Sequence, residues 1–236
     1  MGLTYYARGR DLIVDAGHTG YEATPYRAWL RSPEATSDLV LPGVPFDPAA
    51  GTYLISRRGG ARAQFYEFYD TAFSGDPRYR SVYVDTRPDL VLVYDQARGA
   101  GEYQQLWHLD PALRVRRLTR SAAVAYAPGS KLTLMQIPLP GQGVPAGSTA
   151  VLRARTGPYQ GWVSHRALQR LPDDVVTMTR YGTSARMLTM IAASAPQARV
   201  TWALDGPSAG PYLLTVHIGT GTARYAITLS GGIAGA

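Results

Sequence analysis

Glycine and proline punctuate this chain so densely that no long helix fits between them: 25 Gly and 17 Pro are spread over 236 residues. Each proline stops or kinks a helix, and interior glycines weaken one. What lies between is short and rich in β-branched and aromatic residues. Asp38-Leu39-Val40-Leu41, Gln64-Phe65-Tyr66-Glu67-Phe68-Tyr69, Ser81-Val82-Tyr83-Val84-Asp85 and Leu90-Val91-Leu92-Val93-Tyr94 are of this kind. So are residues 132–137, 149–153, 175–179, 187–191, 200–204, 213–217 and 225–229. Runs of this length and composition read as strands. Antiparallel strands bury their alternating faces by stacking, so the chain is predicted to be all-β: a large antiparallel two-sheet super-sandwich with minimal helix. Two turns of helix are expected over 164–171, ended by Pro172, and an irregular turn within 21–35. The Pro- and Gly-rich stretch from Pro138 to Ser148 reads as an exposed loop within one domain, because strands of the same kind continue on both sides.

Composition narrows the chemistry. The length allows a full core. No apolar run approaches the roughly 20 residues that cross a bilayer, and no N-terminal stretch has the form of a signal peptide. Without cysteine there is no disulfide, no thiolate nucleophile and no Cys-based metal centre. The net charge is +7, and Lys131 is the only lysine among 24 basic residues. Arginine's planar fork grips carboxylate, sulfate and phosphate. These arginines are dispersed, however, and most are read as solvated. Neither a nucleic acid nor a membrane is expected as a partner. The chain opens inside strand-like sequence (Leu3 to Tyr6, then Leu12 to Asp15 and Gly17), which reads as a piece of something larger.

Few residues have the setting of a reactive group. Asp15 ends a hydrophobic run beside Gly17; it suits a turn cap better than a metal ligand, and His18 and Glu22 nearby complete no strong metal spacing. Tyr21, Tyr26, Arg27, Trp29 and Arg31 form an aromatic-basic segment. Such a segment suits stacking on sugars and neutralising their acidic groups, and equally suits folding its rings back over the sandwich. Alternation puts His108 on the face of Leu106, opposite Trp107, as a buried imidazole satisfied by a neighbour. His165 and His217 show no partner. Asp70, Asp76, Asp85, Asp89 and Asp95 fall at run ends, as turn-formers do. No nucleophile elbow, phosphate loop or zinc-protease motif is present.

In order along nearly the whole chain, these segments resemble the C-terminal β-sandwich of the heparinase II/III-like polysaccharide lyases. The family's Asp-x-Gly turn followed by Tyr resembles Asp15-Ala16-Gly17 and Tyr21. Its aromatic-Arg lead into a Ser/Thr-rich turn resembles residues 26–32, its His-Leu-x-Pro segment His108-Leu109-Asp110-Pro111, and its Gln-Gly-Trp-x-Ser run residues 160–164. Its strands ending in valine-rich and Asp-terminated runs resemble Leu39 to Leu41 and Leu90 to Asp95.

The resemblance implies one domain over 1–236, cut short at its N-terminus and lacking the α/α-toroid half that supplies Tyr, His and Asn. It implies β-elimination on a uronate-containing acidic polysaccharide, a toroid as partner, and a secreted or periplasmic parent. Tyr21, Arg27 and Arg31 would hold substrate, and no catalytic residue is assigned. The family's His-x-His segment would precede Leu3, and its Ala-His-Asn turn falls on Ala35-Thr36-Ser37, so both histidines are missing. Some relatives use the Asp15 position for a structural zinc; with its partners gone, no zinc and no cofactor is expected. Three readings stay open: a lyase sandwich inactive alone, a non-catalytic acidic-carbohydrate-binding or structural module, and a degenerate lyase fragment.

Overall fold

The structure is a computed structural model that describes residues 1–73, 76–99, 101–140 and 147–236. It bears out the all-β reading: 58% of it is strand and 4% helix, and each run named above lies in or overlaps a strand. The central sheet is antiparallel, in the order Tyr53–Gly59, Ala63–Phe73, Asp76–Asp85, Leu90–Arg98, Ser184–Ser194, Ser130–Ile137, Ala122–Ala127 and Arg114–Leu118. A front sheet runs Gly147–Leu152, Val175–Tyr181, Glu102–His108 and Leu39–Val40. The core it shares with the central sheet includes Leu39, Val91, Val93, Trp107, Leu132, Met187 and Ile191.

The sandwich has a third layer. A back sheet of Val200–Asp205, Tyr212–Ile218, Gly221–Ile227 and Ile233–Gly235 packs on the other face of the central sheet. There Phe65, Leu92, Tyr94 and Met190 meet Tyr212, Leu214, Tyr225 and Ile227. Strand Leu90–Arg98 shows the cause in its sequence. Leu90, Leu92 and Tyr94 enter the back core, Val91 and Val93 the front core, and all five are buried. A strand covered on both faces is apolar at successive positions instead of alternating. Each such side chain contributes about 1.5–3 kcal/mol relative to exposure, which makes this strand the hardest part of the sheet to displace.

Across the front face of the central sheet runs a buried charge network. Asp70 and Arg78 are direct cross-strand partners, as are Arg80 and Asp95. Arg78 donates to Asp70 through Nε and Nη2 at 2.9 and 2.6 Å. Arg80 donates to Asp95 through Nε and Nη2, both at 2.7 Å. Asp38 lies 3.4 Å from each guanidinium. Arg78 also donates to Leu39 O, and Arg80 to Ser37 O at 2.8 Å. Burial pushes the Asp38 carboxyl up, but Arg78, Arg80 and the Met1 amine outweigh it and hold it well below the usual carboxylate range. The network corrects two expectations. Asp95 is not a turn-former, and Asp70, whose Oδ1 also accepts from Ala72 N at 3.2 Å, is more than one; Arg78 and Arg80 fall outside the solvated majority, because opposite charges facing each other in the ladder satisfy one another without water. Asp85 and Asp89 do sit at a turn: Asp85 Oδ1 accepts from Arg87 N at 3.0 Å, and Asp89 has φ of 60°.

Two further expectations change. No helix forms over 164–171. Ser164 N donates to Ala16 O at 2.8 Å, Ser164 O accepts from His18 N at 3.2 Å, and Leu168 takes a left-handed φ of 63°. Two isolated helical turns are too short to persist against such tertiary pairing. Within the loop expected over Pro138 to Ser148, residues 141–146 lie outside the described residues. Leu139 is buried in the back core, and Gly147 and Ser148 already belong to a front-sheet strand.

Candidate functional site

The outer side of the front sheet carries the segment that the sequence singled out. Val14 N donates to His108 O at 2.9 Å, and Ala16 N to Ala35 O at 3.2 Å, so residues 14–18 are threaded between the 25–35 segment and Ser164. Gly17 makes this possible: its φ is 82°, and a Cβ there would collide with Ser164 O. The expected irregular turn is a short helix, Pro25–Leu30, followed by a 3₁₀ turn, Pro33–Ala35. Thr24 Oγ1 accepts from Arg27 N at 3.2 Å and caps the helix, and Pro25 suits its first position.

Three-residue spacing puts Tyr26 and Trp29 on the inward face, where their rings stack at 5.5 Å between centroids. Tyr159 meets Tyr26 edge-on at 5.3 Å. The Arg170 guanidinium lies 5.0 Å above Tyr26 and 5.9 Å from the Trp162 ring. For Tyr26 and Trp29, then, the rings fold back over the sandwich. Tyr21, Arg27 and Arg31 stay outside. Tyr21 is 82% exposed. Arg27 donates to Tyr21 O at 3.0 Å and holds its guanidinium 5.7 Å from the ring. Arg31, at the helix C-cap, lies four residues beyond Arg27 and is exposed. The structure joins Tyr21 to Arg27; Arg31 touches neither through a hydrogen bond or ring contact among the described residues.

Beside them opens a cleft of about 280 Å³, lined by Glu22, Thr24, Tyr26, Tyr159, Leu168 and Arg170 among others. Tyr26 is held as a phenol. Ser164 Oγ donates to Gln169 O at 2.6 Å, so it accepts from Tyr26 Oη at 2.8 Å. Burial raises the Tyr26 phenol further, with Ser164 and Arg170 opposing. The neighbouring imidazoles, His18 and His165, are exposed, and neither ring has a hydrogen-bond partner among the described residues; His18 meets the Tyr21 ring edge-on at 5.6 Å. The cleft itself carries one cation, Arg170, one carboxylate, Glu22, and the ring faces of Tyr26 and Tyr159, while Arg27 and Arg31 stand outside it.

Beneath it lies a second, sealed arrangement. His108 is fully buried, as expected; its Nε2 donates to Glu34 O at 3.0 Å, since a carbonyl only accepts. His108 Nδ1 faces Asp173 Oδ2 at 3.5 Å, and among the described residues neither that nitrogen nor either Asp173 carboxylate oxygen has a hydrogen-bond partner. Burial pushes the Asp173 carboxyl up, with His108 opposing. The remaining histidine, His217, meets Thr222 Oγ1 at 2.9 Å.

Asp15 is exposed, and its Oδ1 accepts from Gly17 N at 3.0 Å, the geometry of a turn cap. No group of three or more His, Cys, Asp or Glu side chains that would hold a metal gathers among the described residues. The donor set around Asp15 does not fit zinc, which takes about four ligands. Sequence reasoning missed Tyr159, Arg170 and Asp173. They reach the site from residues 159–173, more than 120 positions after Arg31, and only the Gly161-Trp162-Val163-Ser164 run marked that region.

No family model and no curated protein matches the sequence. Solved structures do match. A mutant of the heparan sulfate lyase HepC from Pedobacter heparinus superposes with a TM-score of 0.77 at 16% identity, over 97% of this chain and 36% of that one. The unmutated HepC gives 0.76 with the same coverage. A heparinase III structure gives 0.74 at 13% identity, over 96% of this chain and 35% of its own. The likeness is one of fold, and the chain spans about a third of the length of the structures it matches.

Proposed function

We propose that this chain is the β-sandwich portion of a polysaccharide lyase acting on uronate-containing polymers. On this reading it forms one wall of the substrate cleft and leaves proton transfer to an α/α toroid. The observation that carries the reading is the coverage: 97% of this chain superposes on 36% of a heparan sulfate lyase. The parent would be secreted or periplasmic, where such polymers are met.

In β-elimination a base removes the proton at C5 of the uronate, and the 4-O glycosidic bond then breaks. The difficulty is the negative charge that develops next to the carboxylate, and neutralising that carboxylate lowers the barrier. Arg27 and Arg31 present guanidinium groups for this task, and the exposed face of Tyr21 suits a sugar ring. Tyr26 stays protonated, donating to Ser164 Oγ, and His108 is sealed, so neither removes a proton from substrate.

The test is to incubate the chain with heparan sulfate, alginate and hyaluronan and follow the ultraviolet absorbance of the unsaturated uronate product. The expected result is no release by the chain alone, and release when it is joined to an α/α toroid of a heparan sulfate lyase. Turnover by the chain alone would overturn the division of labour. With the toroid joined, Arg31→Ala should weaken substrate binding and leave the fold intact; unchanged binding would remove Arg31 from the wall.

A further inference from the structure

On the back face of the central sheet, one cross-strand row stays outside the cover of the back sheet. Tyr53 pairs with Tyr69, Tyr69 with Tyr79, Tyr79 with Gln96, and Gln96 with Arg186. Partners directly opposite in a ladder lie on one face, so these five residues form a single line across five strands. Four interstrand steps of about 4.8 Å make the line about 19 Å long. The tyrosine ring centroids are 6.4 and 5.2 Å apart. Tyr53 is 61% exposed, and Tyr69 and Tyr79 are half-buried.

The back sheet stops just short of this line. Its turn at Gly231 packs so tightly on Ser81 and Tyr94 that an added Cβ would lie 2.9 Å from each, and Gln96 Nε2 donates to Ser230 O at 3.0 Å. Beyond that seal opens a cleft of about 270 Å³ lined by Pro77, Tyr79, Gln96, Arg98, Ser184 and Arg186. Arg98 and Ser184 are cross-strand partners one step along the strands from Gln96 and Arg186. Arg98 is exposed. Arg180 Nη1 donates to Arg186 O at 2.7 Å and braces that edge. The acidic groups nearby are Glu67, one row further in on the face of Tyr69, and Asp76, against Gly99.

We propose that the line from Tyr53 to Arg186 is a binding surface for an acidic oligosaccharide, with the tyrosine rings under successive sugars and Arg98 and Arg186 gripping carboxylate or sulfate groups at one end. The line of rings matches the extended, repeating form of a glycan chain. The two arginines supply charge complementarity that a purely structural ring row would not need. The surface lies on the opposite side of the sandwich from Tyr21 and Arg27, two sheets away. The choice of ligand class rests on the function proposed above, and the surface extends that function to a second contact with the same kind of polymer.

Isothermal titration of the full chain with size-defined heparan sulfate and alginate oligosaccharides tests this, with cello-oligosaccharides as the neutral comparison. The variants are Tyr53→Ala with Tyr79→Ala, Arg98→Ala with Arg186→Ala, and Arg27→Ala with Arg31→Ala; unchanged melting shows that each is folded. The expected result is binding of an acidic oligosaccharide and not of the neutral one. Loss of each charge-assisted contact at Arg98 and Arg186 should weaken binding about tenfold. The tyrosine pair should also weaken it, and the Arg27/Arg31 pair should leave residual binding at the row. Unchanged affinity in both row variants, equal binding of the neutral sugar, or no acidic binding at all would overturn the proposal. Loss confined to the Arg27/Arg31 pair would overturn it as well, while supporting the substrate wall proposed above.

Discussion

Removing Asp95 should be among the most damaging single changes in this protein. Its carboxylate accepts from Arg80 Nε and Nη2 and from Gln105 Nε2, each at 2.7 Å, and it is fully enclosed. Asp95→Leu leaves a buried guanidinium without its bidentate partner. Removing one member of a buried pair costs about 3–5 kcal/mol. Arg80 keeps Asp38 at 3.4 Å and the Ser37 carbonyl at 2.8 Å, so the lower end, about 3 kcal/mol, is expected. Substituting Arg80→Met as well removes the stranded charge, and a hydrophobic pair of similar volume is often near neutral. What persists is the unpaired Gln105 amide and the loss of one cation beside Asp38, which sets the double variant about 1–3 kcal/mol below wild type. Urea unfolding with linear extrapolation measures each variant, and the double-mutant cycle gives the coupling directly. The double variant should be no less stable than Asp95→Leu alone. If Asp95→Leu costs less than about 1 kcal/mol, or if the double variant loses the sum of both single changes, the network is not the coupled unit described.

Two other outcomes follow from the outer flank. Burial raises Asp173 in the folded state, so the native protein holds a proton that the unfolded chain has released. Its contribution is fully present below the ordinary Asp pKa of about 3.9 and falls as pH rises toward the folded value; Asp173→Asn should flatten that slope in unfolding measurements across acidic pH. Gly17→Ala should cost about 2 kcal/mol or more, from positive φ and the clash with Ser164 O, whereas Gly20→Ala, which meets only a flexible Leu168 methyl at 3.5 Å, should change stability by less than about 0.5 kcal/mol.

What was legible in the sequence was what depends on neighbours along the chain. Strand after strand could be read from β-branched runs and glycine or proline stops, because those are local preferences. The third layer had a local signature too: Leu90 to Tyr94 and Met187 to Ile191 are apolar at nearly every position, which a strand with one wet face is not. The Asp70–Arg78 and Arg80–Asp95 pairs needed one further step, the hairpin registers that set them opposite each other. Once the strand Asp76–Asp85 is paired on both sides, its alternation sends Arg78 and Arg80 to one face and Tyr79 to the other. The same register thus builds the buried charge network in front and the tyrosine line behind.

The candidate cleft was harder to foresee for a reason of chain separation. Tyr21 and Arg27 are close in sequence, but the pattern of residues 21–31 left open whether its rings turn inward; the helix Pro25–Leu30 decides it by placing Tyr26 and Trp29 on the inward face. Tyr159, Ser164, Arg170 and Asp173 arrive from the far side of the front sheet, in a segment whose local preference pointed to a helix. The pairing of Trp162 and Val163 with Pro172 and Leu171 and the bridge to Gly17 make that segment extended, and the bridge requires a glycine at one position and a backbone carbonyl some 150 residues later. A site built this way is fixed by the sandwich and not by its own loops. Its phenol is tied to Ser164, and its imidazole is fully buried and anchored through Nε2 on Glu34 O. On the function proposed above, groups held so firmly within the protein suit a wall, with elimination left to the toroid and the grip on the polymer to the exposed Tyr21, Arg27 and Arg31.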